Sequence, residues 1–178
     1  RLSSSGDIAC ALHARKFIAM SVRSLTASQG AINKLVGDGA IRLVCNLMCA
    51  GEDTNSDVYE NCAISLYSVA QTQYYNDVLL EQGLLKAISR LAQHPECFGI
   101  AASILYLLSS DPQHRELVVL DSGARNLLFA IADQPTHSKS VIQFCAQTLF
   151  CLSRCAAESR EVLISAGLVP LLLRLSGH

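Results

Sequence analysis

Four glycines, Gly39, Gly83, Gly123 and Gly167, stand 44, 40 and 44 residues apart, and the same apolar rhythm follows each of them. Four residues past the glycine sit Leu43, Ala87, Leu127 and Leu171. Five past it sit Val44, Ile88, Leu128 and Leu172, and eight past it Leu47, Leu91, Ile131 and Leu175. Offsets of four, five and eight lie on one side of a helix, so each segment carries a stripe that has to be buried. A module recurring at this period buries its stripe by stacking on its neighbours, which favours a repeat architecture over an ordinary helical bundle whose glycines fall at similar spacing by chance.

The residues ahead of each glycine agree as well. Ile32–Asp38, Asn76–Gln82, Arg115–Ser122 and Arg160–Ala166 each read as a short helix that stops at the glycine, the third copy carrying one extra residue. Glycine suits such a stop because left-handed backbone there brings a Cβ into a clash. Upstream of each short helix the pattern predicts a longer apolar one, over Asp7–Ala27, Asp57–Ala70, Glu96–Ser109 and Ser138–Arg154. Leucine (27) and alanine (21), the strongest apolar helix formers, dominate the chain, and strand-type alternation is hard to find. The expectation is an all-α fold in three-helix units over 7–50, 51–94, 95–134 and 135–178, one repeat domain over 7–178 after a polar linker over 1–6.

A hydrophobic share of 51% with only 16% charged residues excludes a disordered chain. Apolar runs such as Leu168–Leu173 fall far short of the about 20 residues that span a membrane. A net charge of −1 gives no overall field towards nucleic acid or acidic lipid. Eight cysteines without a secretory segment or lipidation motif lead us to expect a reducing, intracellular and cytoplasmic setting. The chain opens on Arg1, which suggests a segment of something longer.

The stretch Ser159-Arg-Glu-Val-Leu-Ile-Ser-Ala-Gly-Leu-Val-Pro-Leu-Leu-Leu-Arg-Leu175 resembles the armadillo repeat signature. That signature is a short helix ending in Ala-Gly, then a second helix with proline three residues past the glycine and a leucine-rich face. Pro170 fits the first turn of the second helix, where a missing N–H does no harm. Val36–Val44 and Leu80–Ile88 are looser copies. HEAT repeats share the period, but the short first helix and the glycine corner favour the armadillo form. The resemblance implies a right-handed superhelix of about four helix triplets, incomplete at both ends, that binds a protein or extended peptide along the concave groove of its third helices.

In nuclear-import members of the family a Trp, and an Asn four residues later, line that groove. Counting from the helix ends, the Trp position reads Met20, Ile64, Ser103 and Gln147, and the Asn position Ser24, Ser68, Leu107 and Cys151. The chain has no Trp, so binding of ordinary nuclear-import signals is not expected. One residue before the Asn position stands a different ladder, Arg23, Tyr67, Tyr106 and Phe150. These residue types dominate interface energetics, and they are equally suited to packing between repeats as core; both readings stay open at this stage.

Charge adds a second pattern. Glu52, Asp53, Asp57 and Glu60 cluster at the start of a long helix, which its dipole favours and which also offers an acidic mouth for a basic partner. His13, Arg15, Lys16 and Arg23 form a basic stretch that reads as a solvated edge. At the other end, Leu171, Leu172 and Leu175 are expected to face solvent unless further repeats or a partner cover them.

Chemistry is thinly represented. Cys45 with Cys49, and Cys151 with Cys155, share helix faces and offer two corners of a zinc site, yet neither pair has a histidine nearby. With Cys62, Cys97 and Cys145 they read as small buried hydrophobes. His13, His94, His114, His137 and His178 fall at loops or helix ends, and Asp111-Pro-Gln-His114 looks like a helix start. No nucleophile elbow, phosphate loop or dinucleotide motif is present. The reading is a non-catalytic protein-interaction scaffold with no cofactor and no metal. The alternatives are a structural solenoid segment that docks by its ends, or a thiol- or metal-responsive helical domain.

Overall fold

A computed structural model describes residues 3–50, 56–134 and 138–176, with side chains from residue 13 onward. Among them the chain is all-helical, without a strand. Twelve α-helices follow one another: α1 Ser3–Thr26, α2 Gln29–Gly37, α3 Ala40–Cys49, α4 Ser56–Ala70, α5 Asn76–Glu81, α6 Leu84–Ser89, α7 Phe98–Ser110, α8 Arg115–Leu120, α9 Ser122–Ala132, α10 Lys139–Leu152, α11 Ala157–Ser165 and α12 Leu168–Leu175. Short 3₁₀ turns precede α5 and α7, and another, Arg90–Gln93, prolongs α6. The long helices expected from sequence are α1, α4, α7 and α10, and the short ones are α2, α5, α8 and α11. One expectation is corrected: Ser3–Gly6, assigned to a linker, belongs to α1.

The apolar stripe is buried in most copies, though Leu43 at offset four and Leu172 at offset five are exposed and Leu175 at offset eight is half-buried. Val44, Ile88 and Leu128 are enclosed, and so are Leu47, Leu91 and Ile131. Contacts gather the chain into two compact units, Arg1–Ala87 and Ile88–His178, a division that falls inside α6 rather than between repeats. In the first unit α1 packs along α4, and α3 lies against both. In the second, like stacks on like: α7 on α10, α8 on α11, and α9 on α12.

Side-chain bonds between distant parts of the chain carry the same period. In the first unit Lys16 pairs with Asp57, and Arg23 Nη1 donates to Asn61 Oδ1 at 3.0 Å. Gln29 Nε2 donates to Thr72 Oγ1 at 3.0 Å, and the Tyr75 hydroxyl donates to Asn33. In the second unit Arg174 meets Asp133 at 2.8 Å, and the rings of Tyr106 and Phe144 lie 5.7 Å apart. Each of these pairs is separated by about one repeat, as stacked copies of one module would have it.

The glycine corners are not all alike. Gly39, Gly83 and Gly167 have φ of 80°, 94° and 104°, the left-handed backbone that glycine adopts freely. Gly39 and Gly167 occupy the N-cap of the next helix. Gly123 corrects the expectation, since it has no positive φ and lies within the first turn of α9. The extra residue of the third copy lets Asp121 take the corner in extended backbone, where its carboxylate accepts the Ala124 N–H at 2.7 Å. Gly123 is held instead by close approach: a Cβ there would lie 2.7 Å from the Cβ of Ser89.

The turn at Asp111 differs too. Gln113 N–H donates to Asp111 Oδ1 at 3.0 Å, a local turn, and α8 begins only at Arg115. Arg115 reaches back, its Nε donating to Ser109 O at 2.8 Å and its Nη2 to Ser110 O at 3.0 Å. It thereby satisfies carbonyls that the end of α7 leaves without a helical partner.

Candidate functional site

The expected groove residues lie on the outward stripe of each long helix. The clearest case is α7, a helix that sequence makes apolar from end to end. Its buried positions include Phe98, Ala101, Ala102, Ile104, Leu105 and Leu108. The part-exposed ones are Gly99, Ile100, Tyr106, Leu107 and Ser110, one turn apart along a single face. Tyr106 and Leu107 are on that face. Ser103 sits on it but is nearly enclosed, its hydroxyl donating to Gly99 O at 2.9 Å, so it offers little to a ligand.

The same stripe recurs on α4 and α10. On α4, Ile64, Tyr67 and Ser68 are half-buried, and the Ser68 hydroxyl is turned back onto Ile64 O at 2.9 Å. On α10, Gln147 and Cys151 are half-buried and Phe150 is exposed. The guanidinium of Arg154 lies 5.8 Å from the centre of the Phe150 ring, within reach of a cation–π contact. Arg23 of α1 is exposed and tied to Asn61.

The ladder Arg23, Tyr67, Tyr106, Phe150 is therefore neither plain core nor free groove. Arg23 and Tyr106 each touch the next long helix of their own unit, at Asn61 and at Phe144. Their outer edges remain in solvent. Sequence spacing put these residues at one offset without revealing the contacts of Arg23 and Tyr106 with the next helix, because burial by that helix depends on crossing geometry that spacing does not encode.

Charge is used up locally. Glu52 and Asp53 lie outside the described residues. Asp57 is engaged by Lys16, so the acidic start of α4 is answered by the basic stretch of α1. Glu60 is exposed. From Ser140 to Leu152 α10 carries no charge, and α7 carries none at all, so the stripe of the second unit is neutral and largely apolar.

The thiols are insulated. Burial pushes Cys45, Cys62 and Cys145 up to about 12 from an ordinary value near 9, with a smaller contribution from Cys49 on Cys45 and from Cys45 on Cys62. Cys155 is raised by burial, then by Glu116 and Cys151, against an opposing effect of Arg115. A thiolate is the form that attacks or ligates, and these groups are held away from it. Among the described residues no three His, Cys, Asp or Glu side chains gather as a metal site would. His137 and His178 lie outside the described residues; His114 is buried 3.4 Å from Asp111, and His94 lies 3.3 Å from Glu96.

Two outcomes follow for the thiols. Below pH 9 folded and unfolded chains alike keep these protons, so their contribution is complete. Between about pH 9 and 12 the unfolded chain loses them and the folded chain does not, and stability falls as pH rises. Denaturation midpoints should decline across that window, and less steeply in Cys145→Ala. At pH 8 a thiol reagent should modify Cys45, Cys62 and Cys145 only at the rate of unfolding; prompt modification of the native protein would contradict their enclosure.

The end at α12 also differs from expectation. Leu171 is fully buried, which removes it from the residues proposed to face solvent, whereas Leu172 is exposed and Leu175 half-buried. Leu171 occupies the inward offset, which the preceding second helix α9 covers.

No known protein family matches this chain, and no curated protein does. Among solved structures it is similar to an engineered protein whose crystal structure was determined by the Northeast Structural Genomics Consortium, with a TM-score of 0.72 and 22% sequence identity. The match covers 90% of this chain and 66% of the engineered one. That likeness concerns the fold alone. Among the described residues no helix is long and apolar enough to cross a membrane.

Proposed function

We propose that this chain is an armadillo-type repeat segment that binds an extended polypeptide along the outward stripes of its third helices, α1, α4, α7 and α10, without catalysis. The observation that carries the reading is α7. Nearly every face of that helix is enclosed, and the one left open carries Leu107, at the family's Asn position, with Tyr106 of the neighbouring ladder beside it; Gln147 and Cys151 at the family's two positions, and Phe150 of the ladder, follow on α10. Left-handed glycine corners and the stacking of like helices within each unit support the repeat class.

The stripe of the second unit selects a ligand by its chemistry. Tyrosine, leucine, phenylalanine and glutamine without formal charge suit an apolar or neutral segment whose backbone finds a few polar partners. Such a surface is preformed, so the ordering cost falls on the ligand alone. The buried thiols of Cys45, Cys62 and Cys145, held protonated, support a binding role over a thiol-based catalytic one.

The test is selection of peptides from a random displayed library on the native protein, followed by titration of the best binder. Tyr67→Ala and Tyr106→Ala should each weaken it at least tenfold, the effect of an interface anchor worth about 1.4 kcal/mol. Leu173→Glu, on α12, should leave it unchanged. Equal affinity across the three variants, with helical content intact, would refute the assignment.

A further inference from the structure

The stripe that α7 and α10 present is neutral along its length and ends on a cation. Arg154 stands seven residues past Gln147 and three past Cys151, so it continues the same face of α10 by one further turn. It lies in the turn between α10 and α11, where its backbone N–H donates to Cys151 O at 3.2 Å, and it is exposed. This row is not one that a following helix closes. Its counterpart one repeat earlier, Ser110, stays part-exposed although α10 stacks on α7.

The guanidinium is held in place yet left open to a ligand. It lies 5.8 Å from the centre of the Phe150 ring, a contact that positions the cation and occupies none of its N–H donors. Among the described residues no carboxylate or carbonyl accepts from it. Other arginines of this unit are engaged by the chain itself: Arg115 by Ser109 O and Ser110 O, Arg125 by Val119 O, and Arg174 by Asp133. The neighbouring charges do not stand in for a partner. Cys155, the next residue, lies within electrostatic reach of Glu116 and of Arg115, which oppose each other. Lys139 opens α10 at its far end, about 22 Å away along the helix.

A guanidinium braced on an aromatic ring at the edge of an apolar surface suits one kind of counterpart. Its planar fork matches a carboxylate through two parallel hydrogen bonds, and the ring keeps water from one side of the pair. We infer that the segment bound along α7 and α10 carries a carboxylate, on an Asp or Glu side chain or at its own C-terminus, that pairs with Arg154 beside an apolar side chain packed on Phe150. The inference rests on the peptide-binding reading above and adds one charge to an otherwise apolar ligand. Guanidinium and ring centre are 5.8 Å apart, and extended chain advances about 3.3 Å per residue. The carboxylate therefore falls within about two residues of that apolar side chain.

Two synthetic peptide libraries test this on the native chain, identical except that one ends in a free carboxylate and the other in an amide. The best binder from each is titrated against the wild type, Arg154→Gln, Tyr106→Ala and Arg160→Gln, the last an exposed cation on α11. Arg154→Gln should weaken binding about three- to tenfold, and Arg160→Gln should leave it unchanged. Removing the peptide's carboxylate, by exchanging its Glu or Asp for the amide or by amidating its end, should cost the same factor on the wild type. On Arg154→Gln it should cost nothing further, a coupling that assigns the pair. Whichever removal shows that coupling identifies the source of the carboxylate. Binders that lose affinity with Tyr106→Ala, yet whose carboxylate is dispensable or costs as much on Arg154→Gln as on the wild type, would overturn the inference and leave the peptide-binding reading standing. Binders indifferent to both Tyr106→Ala and Arg154→Gln, or no binders at all, would overturn both.

Discussion

Phe98→Ala is expected to lower the unfolding free energy of the second unit by about 3–5 kcal/mol, the usual cost of emptying a buried aromatic site. Phe98 opens α7 and is the largest of the fully enclosed side chains, at 2% exposure. The helix it anchors touches α8, α9 and α10, so the space it leaves has well-fixed walls and little room to collapse. Against a typical domain stability of about 5–15 kcal/mol, the loss is large. Urea denaturation followed by circular dichroism measures it. A change below about 1 kcal/mol would mean that the site relaxes or that α7 is not packed as described.

Gly123→Ala is expected to destabilise the same unit by about 1–3 kcal/mol through overpacking, since the new methyl would lie 2.7 Å from the Cβ of Ser89. The diagnostic is a double mutant. Ser89→Gly removes that Cβ, so the Gly123→Ala change should cost much less in its presence, and the pair should show a coupling well outside additivity. Gly39→Ala should cost about 1–2 kcal/mol for a different reason, a side chain forced into left-handed backbone at φ 80°. Nothing lies within 4 Å of a Cβ built there, so no partner change should rescue it. Denaturation curves of these four variants and of the Gly39→Ala/Ser89→Gly double mutant separate the two causes; rescue of Gly39→Ala by Ser89→Gly would show the distinction to be wrong.

Much of the fold was legible because the signal is redundant. Helix class, the positions of the long helices and the buried offsets all follow from a stripe that recurs four times, so an error in one copy is corrected by the others. Gly123 was misjudged for the same reason. Its alignment with three left-handed glycines was persuasive, while the single extra residue that handed the corner to Asp121 left only a faint trace. The candidate stripe was located by counting, but the burial of Ser103 and Leu171 was not, since one helical position decides between outward and inward and depends on which neighbour lies above. The pairing of Lys16 with Asp57 was foreshadowed only as two separate charge clusters, because sequence gives no distance between α1 and α4.

The corner at Asp121 has a consequence for how such arrays vary. A chain can turn from first to second helix with a bare left-handed glycine, or with one residue more and a carboxylate that caps the next helix. Both corners deliver a second helix into the same layer of the stack, as α9 on α12 shows. Small insertions are thus absorbed at the bend while the layers keep their places, and a fixed-period ruler laid along a relative of this chain would drift out of step at the bends although the helices themselves remain aligned.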